Sequence, residues 1–359
     1  MLVTPVIAIL KEKYPDAQIT ALVNAGTEGV LKGNPLLAKV ITYDRRTKEF
    51  FFVKRYAKEL GFLLSLRRGF YDLSIDFTGG DRAALASFIS GAAYRIGKKM
   101  RHKGFFKKQI LYNQCVQLSN RHVVLQNMEL LKPLGIAEEG SQPINYAVNF
   151  CIPEDVKEKM KRVLFPNTDK LIHVHPVSRW FFKCWRDDYM AECISALICE
   201  GYKVVVTSAP DEKEIKRVNS ILSFVEKITP HSYRNMVMRL DGKTSIEELS
   251  QISSMSMLFF GVDSAPMHIA ASVGTPVLAL FGPSGAFNWG PWDNDEPPLA
   301  QYTKRNGIQI SGRHTVIQRN WDCVPCGCDG CDGSKLSKCL YDITPDEVLP
   351  IIFEKLRAL

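Results

Sequence analysis

Apolar residues fall along this chain in short unbroken blocks, separated by longer stretches where apolar and charged positions recur at helical spacing. The clearest case is 257–281. Residues 257–262 (MLFFGV) form the kind of block found in a strand covered on both faces. Asp263 and Ser264 follow where a helix N-cap belongs, and Pro266 suits the first helical turn. Residues 267–273 read as a helix stopped by Gly274, and Thr275-Pro276 leads into a second apolar block, 277–281, and a Gly282-Pro283 turn. Upstream of this stretch, strands are expected at 171–174, 203–207 and 236–240, and helices at 187–200, 212–223 and 245–253. The first half repeats the scheme: helix 4–14, strand 17–23, a short helix to about 31, strand 40–43, helix 50–67, strand 71–76 and helix 82–90. Such alternation predicts an α/β fold of parallel sheets with crossover helices. Two runs of it predict two Rossmann-like domains, 1–160 and 161–359, joined through a charged helical connection at 146–164. Thr344-Pro345-Asp346-Glu347 opens a last amphipathic helix, 344–359, expected to pack back on the first domain. An open parallel sheet should begin with a strand, whereas this chain begins with what reads as a helix.

Composition narrows the class. A chain of 359 residues is too long for one ordinary core, and 46% hydrophobic with 23% charged residues is the balance of a globular protein. No apolar run approaches the ~20 residues of a membrane-spanning helix. The apolar start has neither a basic leader nor a small-residue cleavage site, so no signal peptide is expected. The formal net charge of +8 is unevenly spread: from 82 to 128 there is no Asp or Glu. Arg95, Lys98, Lys99, Arg101, Lys103, Lys107, Lys108 and Arg121 all fall inside that window. A charge run is usually a solvated face, but without compensating acids this one suits an anionic partner. Nucleic acid is the less suitable partner, because the run lacks regularly interleaved aromatic residues for base stacking.

The ten cysteines form two groups. Cys115, Cys151, Cys184, Cys193 and Cys199 are scattered through expected helices and strands, as buried thiols would be. Cys323, Cys326, Cys328 and Cys331 cluster as CxxCxCxxC, with Cys339 beyond. Four thiolates can hold a structural zinc ion, although zinc ribbons separate their pairs by a longer insert; disulfides and plain reduced thiols are the alternatives.

Candidate chemistry gathers at the strand ends. Ser178, Ser208, Asp241, Asp263 and Gly282 each follow an expected strand of the second half, hence one sheet edge, where such sheets bind ligands. The helix start after Asp263-Ser264 presents free N–H groups and suits a phosphate, with His268 one turn inside. The simpler alternative is a capping pair and a satisfied core histidine; the Gly-Pro turn at the next strand end favours a site.

Two stretches carry a family resemblance: GVDSAPMHIAASVGTPVLALFGPS (261–284) and HPVSRWFFKCW (175–185). They resemble the signatures of the ADP-heptose:lipopolysaccharide heptosyltransferases, glycosyltransferase family 9. The FKCW detail, NWGPW at 288–292 and the cysteine-rich tail are most similar to the core heptosyltransferase III branch. The resemblance implies a GT-B fold, two Rossmann-like domains facing across a cleft. It implies inverting, metal-independent transfer of heptose from ADP-heptose to the phosphorylated lipopolysaccharide inner core, with no cofactor, in the cytoplasm at the inner face of the membrane. By the same resemblance, Ser178 and Lys183 touch the phosphates, and Asp263, Ser264, Ala265 and His268 line the same pocket. Glu212 meets the ribose, Thr244 flanks adenine, and Val177 stands where many relatives carry a hydroxyl. Arg95, Lys98, Lys99, Arg101 and Lys103 are the expected acceptor-binding group. Relatives begin with a strand and a Gly-Asp turn that supplies the general base, and this pair has no counterpart after Met1. The catalytic base is therefore unassigned; Asp76 and Asp81 are the nearest candidates, each also readable as a turn residue and a helix cap. The alternative function is a nucleotide-sugar or glycan binder of the same fold with little transferase activity.

Overall fold

The computed structural model describes residues 1–44, 52–99, 108–136 and 144–359. The chain divides into two compact units. One comprises Leu2–Glu28 with Pro35–Ala147, and the other Gly29–Asn34 with Val148–Leu359 and Met1.

In the first unit the order is α1 (Thr4–Lys13), β1 (Thr20–Asn24), β2 (Lys39–Tyr43), α2 (Phe52–Arg67), β3 (Leu73–Ile75), α3 (Asp81–Ile89), β4 (Tyr94–Lys98), β5 (Gln114–Val116) and α4 (Val123–Glu129). β1 pairs in parallel with β2, and β3, β4 and β5 form a second parallel sheet. Among the described residues β1 has no other strand partner. Val6 and Ile9 of α1 pack against Met128 and Leu131. Ile96, Val116 and Leu130 form a neighbouring core beneath the second sheet. β4 and β5 lie inside the acid-free basic run. They escape a reading of hydrophobic pattern because YRIGK and QCV offer too few apolar positions to stand out.

The second unit is built on one seven-stranded sheet. Its elements are α5 (Glu154–Val163), β6 (Leu171–His175), α6 (Asp187–Cys199), β7 (Lys203–Val206), α7 (Glu212–Ile228), β8 (Val237–Arg239), α8 (Ile246–Ser254), β9 (Leu258–Val262), α9 (Ala265–Ser272), β10 (Val277–Phe281), α10 (Ala286–Trp289), β11 (Gln309–Ser311), β12 (His314–Gln318), α11 (Lys338–Tyr341) and α12 (Pro345–Arg357). The strand order is β11-β12-β10-β9-β6-β7-β8, parallel except for β11. Every residue of β6, β9, β10 and β12 is buried, which is why β9 and β10 read as unbroken apolar blocks, while β6 (LIHVH) is interrupted by two buried histidines. Nor does β12 read as one, because its buried His314 and Gln318 hydrogen-bond inside the protein.

Gly261, in the middle of β9, is there for space. A Cβ at this position would lie 2.5 Å from the His175 carbonyl oxygen of β6. On one side of the sheet α6 and α12 pack together, and the apolar face of α12 (Val348, Ile352, Leu356) is buried in the same core as Ile194 and Leu197. Of the five scattered cysteines, only Cys184 and Cys193 are buried; Cys115, Cys151 and Cys199 are exposed thiols.

Candidate functional site

The end of β6 is held by a turn whose three consecutive side chains have three destinations. After His175-Pro176, the chain runs through buried Val177 and Ser178 into the 3-10 turn Phe181–Lys183. The buried Cys184 Sγ accepts from the Ser178 backbone N–H at 3.2 Å and faces the Ser178 carbonyl oxygen at 3.6 Å. Trp185, fully buried, donates its indole N–H to the Ile343 carbonyl at 2.9 Å and packs edge-on against Tyr189 and Phe260. With Cys184 and Trp185 anchored, Lys183 is directed to the neighbouring strand end, where its Nζ donates to Asp263 Oδ2 at 2.7 Å. Behind the strand, Thr207 Oγ1 sits between His173 Nε2 (2.7 Å) and His175 Nδ1 (2.8 Å), and His173 Nδ1 meets Ser253 Oγ. Burial pushes the His175 imidazole down to about 3 and His173 well below its ordinary value, so this network is neutral. Nothing in the sequence pattern marks it.

At the end of β9 the expected capping pair does not cap. Asp263 is buried and turned to Lys183, and Ser264 occupies the N-cap position of α9 without a side-chain cap bond. The first turn of α9, beginning at exposed Ala265, therefore keeps its orphan N–H groups for another partner. Ser264 Oγ and His268 Nδ1 are buried with no hydrogen-bond partner among the described residues. Burial pushes the His268 imidazole down to about 3. It is thus a neutral donor or acceptor rather than a cation.

Further along the same edge, Asp211 caps α7, accepting from Lys213 N–H and Glu214 N–H, and Glu212 projects from the first turn into solvent. The buried carboxylate of this turn is instead Glu214, which accepts from Ala209 N–H at 3.1 Å and is pushed up by burial. The sequence reading did not single it out. After β8, buried Asp241 pairs with Arg239, and Gly242, in the left-handed region at φ +67°, donates to the Ser208 carbonyl. Thr244 then presents Oγ1, the third buried polar atom of the expected site with no protein partner among the described residues. Taken along the sheet, the order is Thr244 after β8, Glu212 after β7, Ser178 and Lys183 after β6, and Asp263, Ser264 and His268 after β9. Three inter-strand spacings separate the first from the last, about 14 Å.

The first-unit candidates are only partly brought together. Asp76 follows β3 and is buried, with both oxygens in use. Oδ1 accepts from Thr78 N–H, the Thr78 hydroxyl and Gly79 N–H, and Oδ2 accepts from the Tyr112 hydroxyl at 2.6 Å. Tyr112 reaches it by lying across Gly97, where a Cβ would come within 2.6 Å of the ring. Burial, and next the bond to Asp76, hold the Tyr112 phenol protonated. Asp76 is therefore an organised turn residue. Asp81 is the exposed first residue of α3, whose N-cap is Gly80 rather than Asp81. Lys98 lies at the same end of β4 as Asp76, lowered by burial and raised less by that carboxylate, with Lys99 exposed beside it. Arg95 lies near the opposite end of β4 and is committed internally, donating to the Ala92 and Leu111 carbonyls. The expected acceptor group is thus split. Arg101 and Lys103 lie outside the described residues.

The cysteine-rich loop adjoins the turns of the second-unit site. Gly327 N–H donates to the Pro283 carbonyl at 2.9 Å, and Ser337 donates to the Phe182 carbonyl at 2.6 Å. Cys323, Cys326 and Cys328 are exposed, Cys331 is half-buried, and all are free thiols. Among the described residues, no three His, Cys, Asp or Glu side chains are placed as a metal set. Nor does any helix among them have the length and apolarity to cross a membrane.

Residues 61–306 match the family model of glycosyltransferase family 9 (heptosyltransferase). The chain is 32% identical over 321 residues to lipopolysaccharide heptosyltransferase 3 of Escherichia coli K12, covering 88% of each chain. Its structure is similar to that of E. coli ADP-heptose lipopolysaccharide heptosyltransferase II, with a TM-score of 0.75 at 20% identity over 99% of this chain and 95% of the other. It is also similar to E. coli heptosyltransferase WaaC with ADP, with a TM-score of 0.68 at 16% identity over 99% and 95%. The fold is α/β of the GT-B type, built from parallel-strand sheets. The chain belongs to glycosyltransferase family 9, the heptosyltransferases.

Proposed function

We propose that the protein transfers heptose from ADP-heptose to the lipopolysaccharide core, with inversion at the anomeric carbon and without a catalytic metal. The observation that carries this reading is the row of groups along the sheet edge. Their order suits the parts of the donor: Thr244 for the adenine, Glu212 for the ribose, then Lys183, Ser178 and the α9 N-terminus for the diphosphate. Three atoms in this row, Thr244 Oγ1, Ser264 Oγ and His268 Nδ1, are buried polar atoms that lack protein partners among the described residues. Buried groups of this kind are satisfied by a partner in nearly all proteins, and a nucleotide would supply one.

In the reaction an acceptor hydroxyl oxygen attacks the anomeric carbon from the face opposite the diphosphate. The bond from that carbon to the phosphate oxygen breaks, and ADP leaves with the electron pair. Negative charge then grows on the diphosphate, where Lys183 and the N–H groups of α9 stand ready to offset it. This is the work a divalent cation does elsewhere, which is why no metal is invoked. A general base takes the acceptor proton. Lys98 and Lys99 would hold phosphate on the acceptor, and the protein would act at the inner face of the cytoplasmic membrane, where such an acceptor is anchored. Calorimetry with ADP, with and without EDTA, tests the donor half. Tight EDTA-insensitive binding, weakened in Lys183→Ala, is expected, and a strict Mg²⁺ requirement would overturn the metal-free reading.

A further inference from the structure

The first unit carries an outer surface that the donor site does not explain. α2 and α3 lie side by side, joined by the Arg82–Glu59 ion pair at 3.1 Å and by a core of Leu63, Leu66 and Ala86. That contact leaves other large apolar side chains outside. Leu60 and Leu64, one helical turn apart on α2, and Leu85 and Phe88 on α3 are all exposed. Phe70, just beyond the end of α2, is 87% exposed on a backbone in the left-handed region at φ +48°. Ile110, in the turn Lys108–Leu111 that packs on α3, is 76% exposed. A left-handed, solvent-exposed phenylalanine gains nothing from the protein's own packing, and isolated apolar residues on a surface are ordinary, but six around one helix pair are not.

The unit that carries them is net basic. Residues 2–28 and 35–147, which make up this unit, contain 21 lysines and arginines against 12 aspartates and glutamates, a net +9. The rest of the chain is −1, so the whole excess of +8 belongs to the first unit. Arg67 and Arg68 are exposed at the end of α2 beside Phe70, and the Arg95 guanidinium lies 5.6 Å over the Phe88 ring. Apolar side chains standing among arginines and lysines are the composition of a surface that rests in the headgroup layer of an anionic bilayer.

We infer that the outer faces of α2 and α3, with Phe70 and Ile110, dock onto a bilayer rich in anionic phospholipid. The inference deepens the reading above, in which the acceptor is membrane-borne, by assigning the surface that meets the membrane. Docking by exposed residues would leave donor binding and the chemistry untouched.

The test is co-sedimentation of the full chain with vesicles of phosphatidylglycerol and phosphatidylethanolamine, against vesicles of phosphatidylcholine. Partition onto the anionic vesicles alone is expected, weakening as salt screens the basic residues. The double variant Leu60→Ser/Leu64→Ser and the single variant Phe88→Ser should each lower that partition at least tenfold at an unchanged melting temperature. Leu60→Ala/Leu64→Ala serves if the serine variant loses stability. Transfer to a delipidated, water-soluble core oligosaccharide should be retained in all three. Equal partition of variants and wild type would overturn the inference. So would a concentration-dependent dimer that the variants abolish while their vesicle binding stays intact. If the wild type binds anionic vesicles but transfers no heptose to the soluble acceptor, the docking surface stands and the functional reading fails.

Discussion

Lys183 Nζ lies 2.7 Å from Asp263 Oδ2, a charged pair that joins the ends of two adjacent strands across 80 residues of sequence. Asp263 is buried and Lys183 partly so, and the pair stands at the start of α9, where an incoming diphosphate is expected. The lysine is thereby held in place before the donor arrives. Its carboxylate partner, however, opposes a second anion.

Two substitutions separate these effects. Lys183→Ala should weaken ADP binding by ~10–100-fold, the range of a lost charge-assisted hydrogen bond. Asp263→Asn removes the competing negative charge while keeping the side chain's shape, so ADP affinity should hold or rise. Titration calorimetry on both variants and the double variant measures the coupling. If Asp263→Asn weakens ADP as much as Lys183→Ala does, the carboxylate holds the donor directly and the pair has been misread.

The unpartnered hydroxyls make a prediction with two opposite signs. In the ligand-free protein, Thr244→Val and Ser264→Ala relieve a buried polar atom of a cost near 1 kcal/mol, so the melting temperature should hold or increase slightly. With saturating ADP the order should reverse, because the wild type gains a bond that the variants cannot make. Equal stabilisation of wild type and variants by ADP would remove these two residues from the site.

Acid should destabilise the second unit well above the carboxylate range. His175 and His314 are held near 3 by burial, and His173 is also strongly depressed. In the unfolded chain each titrates near 6.5, so below that pH the unfolded state binds protons that the native state refuses. Stability is therefore complete above about pH 6.5 and is lost as pH falls toward 3, by up to about 1.4 kcal/mol per pH unit for each histidine. Chemical denaturation at pH 7.5 and 5.5 measures this. A midpoint unchanged between the two would show that these imidazoles protonate in the folded state.

Gly261→Ala should cost ~1–3 kcal/mol by overpacking β9 against the His175 carbonyl, lowering the denaturation midpoint and weakening ADP binding through the displaced β6 end. Tyr112→Phe should cost a comparable ~1–3 kcal/mol, because Asp76 loses its Oδ2 partner while remaining buried. Here ADP affinity should not change, since this pair belongs to the first unit. A loss of ADP affinity in Tyr112→Phe would contradict that assignment.

Local pattern determined much of this molecule. The apolar blocks of β9 and β10 were legible because strands buried on both faces favour an unbroken run. The helix start after Asp263-Ser264 was legible because turn chemistry is a matter of adjacent residues. Tertiary structure decided what each polar side chain at those ends does. Ser264 could have capped α9 and does not; Asp263 turns to Lys183, and Cys184 pins Ser178. Asp76 has the residue type of a base, but Thr78, Gly79 and Tyr112 fill its oxygens. Arg95 and Lys98 are neighbours in a basic run, yet β4 carries one toward the Ala92 and Leu111 carbonyls and the other toward the end that bears Asp76. Backbone pattern is set by each residue's own covalent neighbours, so it can be read along the chain. A polar group's partner is set by which strand lies alongside, and that is settled only when the sheet assembles.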